Sequence, residues 1–281
     1  MRAVVVGLDG EPAHAEVPEP DGPGKTARVL ACGLCGSDVE KLVAANAGAV
    51  LGHEVVAETG DGRRVALVHH ASCGTCERCL AGHESLCERF AAPTIRPGGF
   101  AERVNAQASV DLPEHWPDWR GTIVEPLACV LRGAKRLPGG RVLIVGNGFV
   151  GRLFGAVLER RGDEVFAVDV DPRRAGRAPD GPVDAAVLCG RGGVETAIDA
   201  LSPGGTVLVF ADAGSVPAAA IYRRELTVVG TRSAAPPFMP EAVALLDDLD
   251  VPEPTVLPLE RFAEGLGLFR RNEALKVVFT P

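Results

Sequence analysis

Over its first third the chain alternates apolar and polar residues in short bursts, broken by proline and glycine. Val4 to Leu8, Ala13 to Val17 and Thr26 to Ala31 read as short strands, with Pro18-Glu19-Pro20 and Gly22-Pro23-Gly24 as turns between them. Ser37 to Ala45 has a helical pattern, for which Ser37 or Asp38 is the predicted N-cap. Gly52 to Glu58 and Arg63 to His69 are further predicted strands around a Gly60-Asp61-Gly62 turn, and Gly99 to Val104 resumes the pattern. Strands at this spacing predict a compact β-rich unit.

The character changes near Pro113 to Asp118. A helix is predicted over Thr122 to Leu137, ended by Pro138-Gly139-Gly140. Strands at Arg141 to Val145, Glu164 to Val168, Asp184 to Leu188, Thr206 to Phe210 and Leu226 to Gly230 then alternate with helices at Phe149 to Arg161 and Val194 to Leu201. Such alternation predicts an α/β architecture, a doubly wound parallel sheet with helices on both faces. A helix near Leu259 to Phe269 and a strand at Lys276 to Phe279 follow.

Composition narrows the function classes. A chain of 281 residues suffices for two domains, and 46% hydrophobic with 23% charged residues is the balance of a soluble globular protein. A net charge of -8 argues against a nucleic-acid partner. No apolar run is long enough to span a bilayer, and Met1 to Gly7 is unlike a signal peptide, so a cytoplasmic location with reduced thiols is expected.

Reduced thiols matter because of Cys73-Gly74-Thr75-Cys76-Glu77-Arg78-Cys79, with Cys87 shortly after. Four cysteines this close can converge on one tetrahedral zinc, and four thiolates leave no open position, so that zinc would be structural. The alternative is four buried or disulfide-bonded cysteines. Gly146-x-Gly148-x-x-Gly151 is weak alone, but here it follows the apolar strand Val142 to Val145 and opens a helix. Gly146 permits the tight turn, Gly148 lets the backbone approach a pyrophosphate, and Gly151 packs helix on strand. Phe149 and Val150 complete the turn. The next strand ends at Asp169, whose carboxylate would accept bonds from an adenosine ribose and repel a 2′-phosphate, favouring NAD over NADP.

Cys32-Gly33-Leu34-Cys35-Gly36-Ser37-Asp38, Gly52-His53-Glu54, the cysteine lobe, Glu125-Pro126-Leu127-Ala128-Cys129 and the glycine turn occur in that order. In this order they resemble the zinc-dependent medium-chain alcohol dehydrogenase family, on the branch with sorbitol and threonine dehydrogenases. The resemblance covers nearly the whole chain. It implies a GroES-like catalytic domain (residues 1–118 and 252–281, with the structural-zinc lobe at 73–87) and a Rossmann NAD-binding domain (119–251). It also implies two zinc ions per chain, a small alcohol or ketone substrate, and a homodimer or homotetramer, with Leu226 to Gly230 as a candidate pairing edge.

By the same resemblance, Cys35, His53 and Glu125 ligate the catalytic zinc. Asp38 orients His53 from behind, Ser37 begins a proton relay, and Glu54 is a neighbouring carboxylate or an exchangeable ligand. Cys129, four residues after Glu125, is the alternative third ligand. Relatives carry a His where Glu40 stands. Arg174 is placed near the adenosine end of the cofactor. Between Asp171 and Val183 the chain departs from the family, because Gly176, Pro179, Gly181 and Pro182 leave little room for the usual helix and third strand. The sheet is therefore expected to lack or shorten its edge strand. His69 and His70 are expected to be solvated or core histidines, with a substrate contact as the lesser reading. The expected activity is hydride transfer between NAD and a secondary alcohol or ketone, with a polyol, sugar or aminocyclitol substrate. A non-catalytic NAD- and zinc-binding protein on a degenerate scaffold is the alternative, and a zinc-lobe redox sensor is a third reading.

Overall fold

The computed structural model describes residues 1–90, 94–233 and 236–281. By packing, the chain divides into two compact units. Met1–Pro126, Ala235–Leu246 and Glu253–Pro281 make the first, and Leu127–Ala234 with Asp247–Pro252 the second. Residues 119–126 and 236–246 therefore pack with the β-rich unit, on the other side of the division drawn from the sequence. One tie within that unit is Arg120, whose Nη2 donates to the Leu246 carbonyl at 2.7 Å.

The first unit opens with β1 (Arg2–Val6) and β2 (Pro12–Glu16), an antiparallel hairpin. There follow β3 (Lys25–Gly33), α1 (Gly36–Ala44), β4 (Glu54–Thr59) and β5 (Arg64–Leu67). The cysteine lobe contains the one-turn α2 (Glu77–Leu80). β6 (Ile95–Arg96), β7 (Arg103–Ala106), β8 (Ser109–Asp111) and α3 (Asp118–Gly121) come next. β3 is the backbone of this sheet, pairing antiparallel with both β4 and β7.

After α4 (Val124–Ala134) the chain runs through β9 (Arg141–Val145), α5 (Phe149–Arg161), β10 (Glu164–Val168) and β11 (Val183–Leu188). α6 (Val194–Ala200), β12 (Leu201–Val209), α7 (Ala218–Arg224) and β13 (Thr227–Gly230) complete a five-stranded sheet in the order β10-β9-β11-β12-β13. Every pairing in it is parallel. Between β10 and β11 there is neither helix nor strand, so the expected loss of the third strand holds. The bared flank of β10 and α5 borders a groove of about 850 Å³, whose lining includes Ile144, Arg152, Ala156, Val165 and Ala167. The chain then adds α8 (Phe238–Leu246), β14 (Thr255–Pro258), α9 (Phe262–Arg270) and β15 (Val277–Thr280), and β15 inserts between β14 and β3.

The helix expected over 122–137 is α4, from Val124 to Ala134; the short α3 precedes it, parted from it at Thr122, whose hydroxyl donates to the Trp119 carbonyl at 2.7 Å. One local expectation needs correction. The N-cap of α1 is Cys35, because the Asp38 carboxylate reaches back to the Cys35 amide at 3.0 Å. α7 and α8 were not read from the sequence. α7 buries no residue fully and packs only Ala220 and Ile221, half-buried, on the core, so its apolar stripe is faint, and α8 buries only Met239, Ala242 and Leu246.

The core of the first unit closes on an aromatic trio. Phe262 stacks on Phe279 at 4.5 Å between centroids and meets Phe100 edge-on at 4.8 Å. α9 can lie on this trio because residue 265 is glycine; a Cβ there would come within 2.6 Å of the Phe279 ring. Phe279 is fully buried. Phe279→Ala should therefore lower stability by about 3–5 kcal/mol in urea denaturation. Tyr222→Ala, on the exposed face of α7, should change it by less than about 0.5 kcal/mol.

Candidate functional site

The cysteine lobe brings Cys73, Cys76, Cys79 and Cys87 together, their four sulfurs mutually within 4.8 Å. The Cys76–Cys79 and Cys73–Cys79 sulfur separations are 3.5 and 3.9 Å. Four thiolates at about 2.3 Å from a tetrahedral zinc stand about 3.8 Å apart, so the donor set fits that ion. All eight cysteines are free thiols, which removes the disulfide alternative. Backbone amides already point at the sulfurs: Cys76 N at Cys73 Sγ (3.3 Å), Cys73 N at Cys87 Sγ (3.3 Å) and Arg89 N at Cys87 Sγ (3.4 Å). Bonds from the Thr75 amide and hydroxyl, with the Cys76 amide, draw the Cys73 thiol down to about 5. Burial instead pushes Cys79 up to about 12.

A second cluster lies where α1 starts and β4 begins. Cys35, His53 and Glu54 bring a thiol, an imidazole and a carboxylate within 4.8 Å of one another. The Ser37 hydroxyl donates to Cys35 Sγ at 3.4 Å. Asp38, only 1% exposed, faces His53 Nδ1 at 3.1 Å. Burial opposes the imidazolium, but the Asp38 charge and hydrogen bond, with Cys35 beside it, outweigh burial and hold the His53 pKa well above its ordinary value. The same partnership lowers Asp38 against its own burial. Sulfur, nitrogen and oxygen donors of this kind suit zinc.

Glu125 is not a member of this cluster. It sits half-buried in the first turn of α4, with Cys129 one turn on, also half-buried. The carboxylate that does join is Glu54, and it is held by Lys276 of the strand region after α9. Lys276 is itself buried and donates to the Leu34 carbonyl at 3.1 Å. Sequence reasoning missed Lys276, whose only signal is one lysine in the apolar run Ala274 to Phe279. His69, expected to be a solvated or core histidine, is half-buried in a run of rings. The rings of His53, His69, His70 and Phe90 follow one another at 4.9, 3.8 and 4.2 Å. Burial, with His53 and His70 nearby, pushes His69 down to about 2, so it is neutral beside the cluster. Glu40 is exposed on α1.

In the second unit the glycine turn adopts the geometry its residues permit. Gly146 has φ +95°, and a Cβ on Gly151 would lie 2.2 Å from the Gly146 carbonyl oxygen. Phe149 is buried at the start of α5 and Val150 is half-buried. The Asp169 carboxylate accepts from the amides of Asn147 (2.7 Å) and Asp171 (2.8 Å). A hollow of about 310 Å³ beside it is lined by Gly146, Asp169, Val170, Arg191, Gly193 and Thr196 among others.

Residues 25–114 match the model of the alcohol dehydrogenase GroES-like domain. Sorbitol dehydrogenase of Halalkalibacterium halodurans is 28% identical across 100% of this chain and 99% of its own length. D-altritol 5-dehydrogenase of Agrobacterium fabrum is 29% identical over 88% of each chain. A putative zinc-binding dehydrogenase from Sinorhizobium meliloti 1021, solved bound to NADP, superposes with a TM-score of 0.83 at 25% identity, covering 100% of this chain and 99% of its own. Residues 25–114 thus resemble the alcohol dehydrogenase GroES-like domain, and along its whole length the chain is similar to polyol and zinc-binding dehydrogenases.

The chain is short beside the Halalkalibacterium relative. The alignment to the Halalkalibacterium enzyme extends over 342 positions against 281 residues here, and the bare stretch between β10 and β11 is one place where length is saved. No helix among the described residues is long and apolar enough to cross a membrane. In the metal-stripped dehydrogenase, Cys73 should alkylate at pH 6–7, where a thiol titrating near 5 is ionised, while Cys79 stays protonated and unlabelled. Mass spectrometry of peptides after brief iodoacetamide treatment reads the order, and zinc reloading should protect both.

Proposed function

We propose that this dehydrogenase transfers hydride between NAD and a secondary alcohol or ketone of the polyol, sugar or aminocyclitol class. The observation that carries the reading is the convergence of Cys35, His53 and Glu54, braced by Asp38, in a chain that also holds the glycine turn and Asp169. The substrate class rests on the polyol names of the relatives and on the Glu125-Pro126-Leu127 motif. Two zinc ions per chain are proposed: a structural one on Cys73, Cys76, Cys79 and Cys87, and a catalytic one on Cys35, His53 and Glu125. The catalytic zinc, when bound, supplies Lewis acidity toward the alcohol oxygen, and the nicotinamide supplies the hydride acceptor.

The protein's own groups do the rest. Asp38 accepts the Nδ1 proton of His53 and so presents Nε2 as the ligand nitrogen. Lys276 neutralises Glu54 and engages that carboxylate, and Glu125, in the first turn of α4, is the proposed third ligand on the motif alone. Ser37 takes the proton leaving the substrate, and the exposed Glu40 one turn on along α1 passes it to water. Asp169 disfavours a 2′-phosphate, so NAD is the proposed cofactor although the Sinorhizobium relative was solved with NADP. The exposed edge strand β13, with Val228 facing outward, is the proposed pairing edge of a homodimer or homotetramer. The degenerate-scaffold alternative has no observation of its own in favour.

Elemental analysis gives the direct test. The wild type should carry two zinc ions per chain, and Cys35→Ala and Glu125→Ala one each, with NADH binding retained in both variants. One zinc in wild type and Cys35→Ala alike would overturn the catalytic-metal reading. Loss of zinc in Glu54→Ala but not in Glu125→Ala would move the third ligand to Glu54. With a polyol substrate, Asp169→Ala should reduce the NAD-over-NADP preference in kcat/KM by about tenfold or more, the equivalent of about 1.4 kcal/mol.

A further inference from the structure

The groove of about 850 Å³ beside β10 is floored by one face of α5. Arg152, Gly155, Ala156 and Glu159 stand at i, i+3, i+4 and i+7 of that helix, and all four line it. Val165 and Ala167 of β10 and Leu249 add apolar wall. A Cβ on Gly155 would meet only Ile144 Cδ1, at the ordinary distance of 3.6 Å, so packing does not demand a glycine there. Its missing side chain deepens the groove. A space of this size is within the range of about 300–1,000 Å³ that small organic ligands occupy.

The arginines of the lining are not alike. Arg160 is spent on Asp248 at 2.6 Å, and Arg177 on Glu164 at 2.5 Å. Arg152 uses its amide in the helix, on the Gly148 carbonyl at 3.0 Å, but its side-chain Nε is shut off from solvent and has no hydrogen-bond partner among the described residues. A charged donor left so is costly, and an acceptor brought by a ligand recovers that cost. A carboxylate matches the planar guanidinium best, since it accepts two parallel bonds. Glu159 and Asp250 also line the groove, and Asp248 is there already paired. These carboxylates repel a multiply charged anion, so one negative charge is the most the lining suits.

We propose that the groove binds a monocarboxylate with an apolar body, its carboxylate on Arg152 and its apolar part along Ala156 and the flank of β10. The site shares no lining residue with the hollow beside Asp169, and it does not rest on the hydride-transfer reading.

The test is calorimetric titration of the zinc-loaded full chain with octanoate, its neutral counterpart octanamide and inorganic phosphate. Wild type should bind octanoate at least about tenfold more tightly than octanamide, as for one charge-assisted pair. Arg152→Met should remove that preference, and Arg152→Lys should restore part of it. Ala156→Phe, which fills the groove, should weaken both ligands by about tenfold or more, whereas Cys35→Ala should leave them within about twofold. Circular dichroism checks that each variant is folded. A wild type that does not bind octanoate would overturn the proposal, as would octanoate affinity unchanged in Arg152→Met and Ala156→Phe. Loss of octanoate in Cys35→Ala would place the carboxylate at the Cys35 and His53 cluster and overturn it too. Phosphate binding as tight as octanoate, and lost in Arg152→Met, would overturn the apolar part. Sedimentation showing an oligomer that Ala156→Phe dissociates, with no octanoate bound by wild type, would give the groove to a second copy of the chain.

Discussion

The first unit depends on one buried carboxylate. Asp38 accepts from the Cys35 amide (3.0 Å), the Gly52 amide (3.3 Å) and His53 Nδ1 (3.1 Å). A carboxylate that is 1% exposed costs several kcal/mol unless its partners stay in place. Those partners are the residue that opens α1 and the two residues that lead into β4. Satisfying Asp38 thus fixes two segments that the chain would otherwise connect only through the loop between them, and sets the thiol of Cys35 against the imidazole of His53. Glu54, the next residue, is tied in the other direction to Lys276. Two adjacent residues are anchored by two opposite charges, so the donor set is held before any ion arrives.

The second unit shows what a parallel sheet can lose. β9 carries the glycine turn at its carboxyl end and keeps a strand on either side, β10 and β11. The missing strand would have lain outside β10, so its absence leaves the phosphate turn intact and costs only cover for the edge. A stretch without helix or strand supplies part of that cover by bonding to Ala167, and the groove beside α5 is the part left open.

How much of this the sequence declared depended on the range of the interaction. The cysteine lobe, the glycine turn and the alternating strands and helices are set by residues close in the chain, and they were legible. The trimmed edge was legible too, because glycine and proline at 176, 179, 181 and 182 are incompatible with regular structure. α7 was not, since a helix that only half-buries Ala220 and Ile221 shows a faint stripe, and neither was the one-turn α3 that ends before Thr122. In the candidate site, Cys35, His53 and Asp38 came from the family motif and do meet. Glu125 came from the same motif, and among the described residues the donor group within 4.8 Å is Cys35, His53 and Glu54. Lys276 left no local trace, its partner Glu54 being 222 residues away.

That separation has a temporal meaning. At roughly 5–20 residues per second of synthesis, Glu54 precedes Lys276 by about 10–45 s. During that interval the sheet around β3 and β4 can pair, but Glu54 has no countercharge and cannot be sealed from water without heavy cost. The nascent donor cluster therefore stays hydrated and accessible to metal ions until the strand bearing Lys276 docks beside β3. Sealing of the charge pair is then a late event in the birth of the molecule.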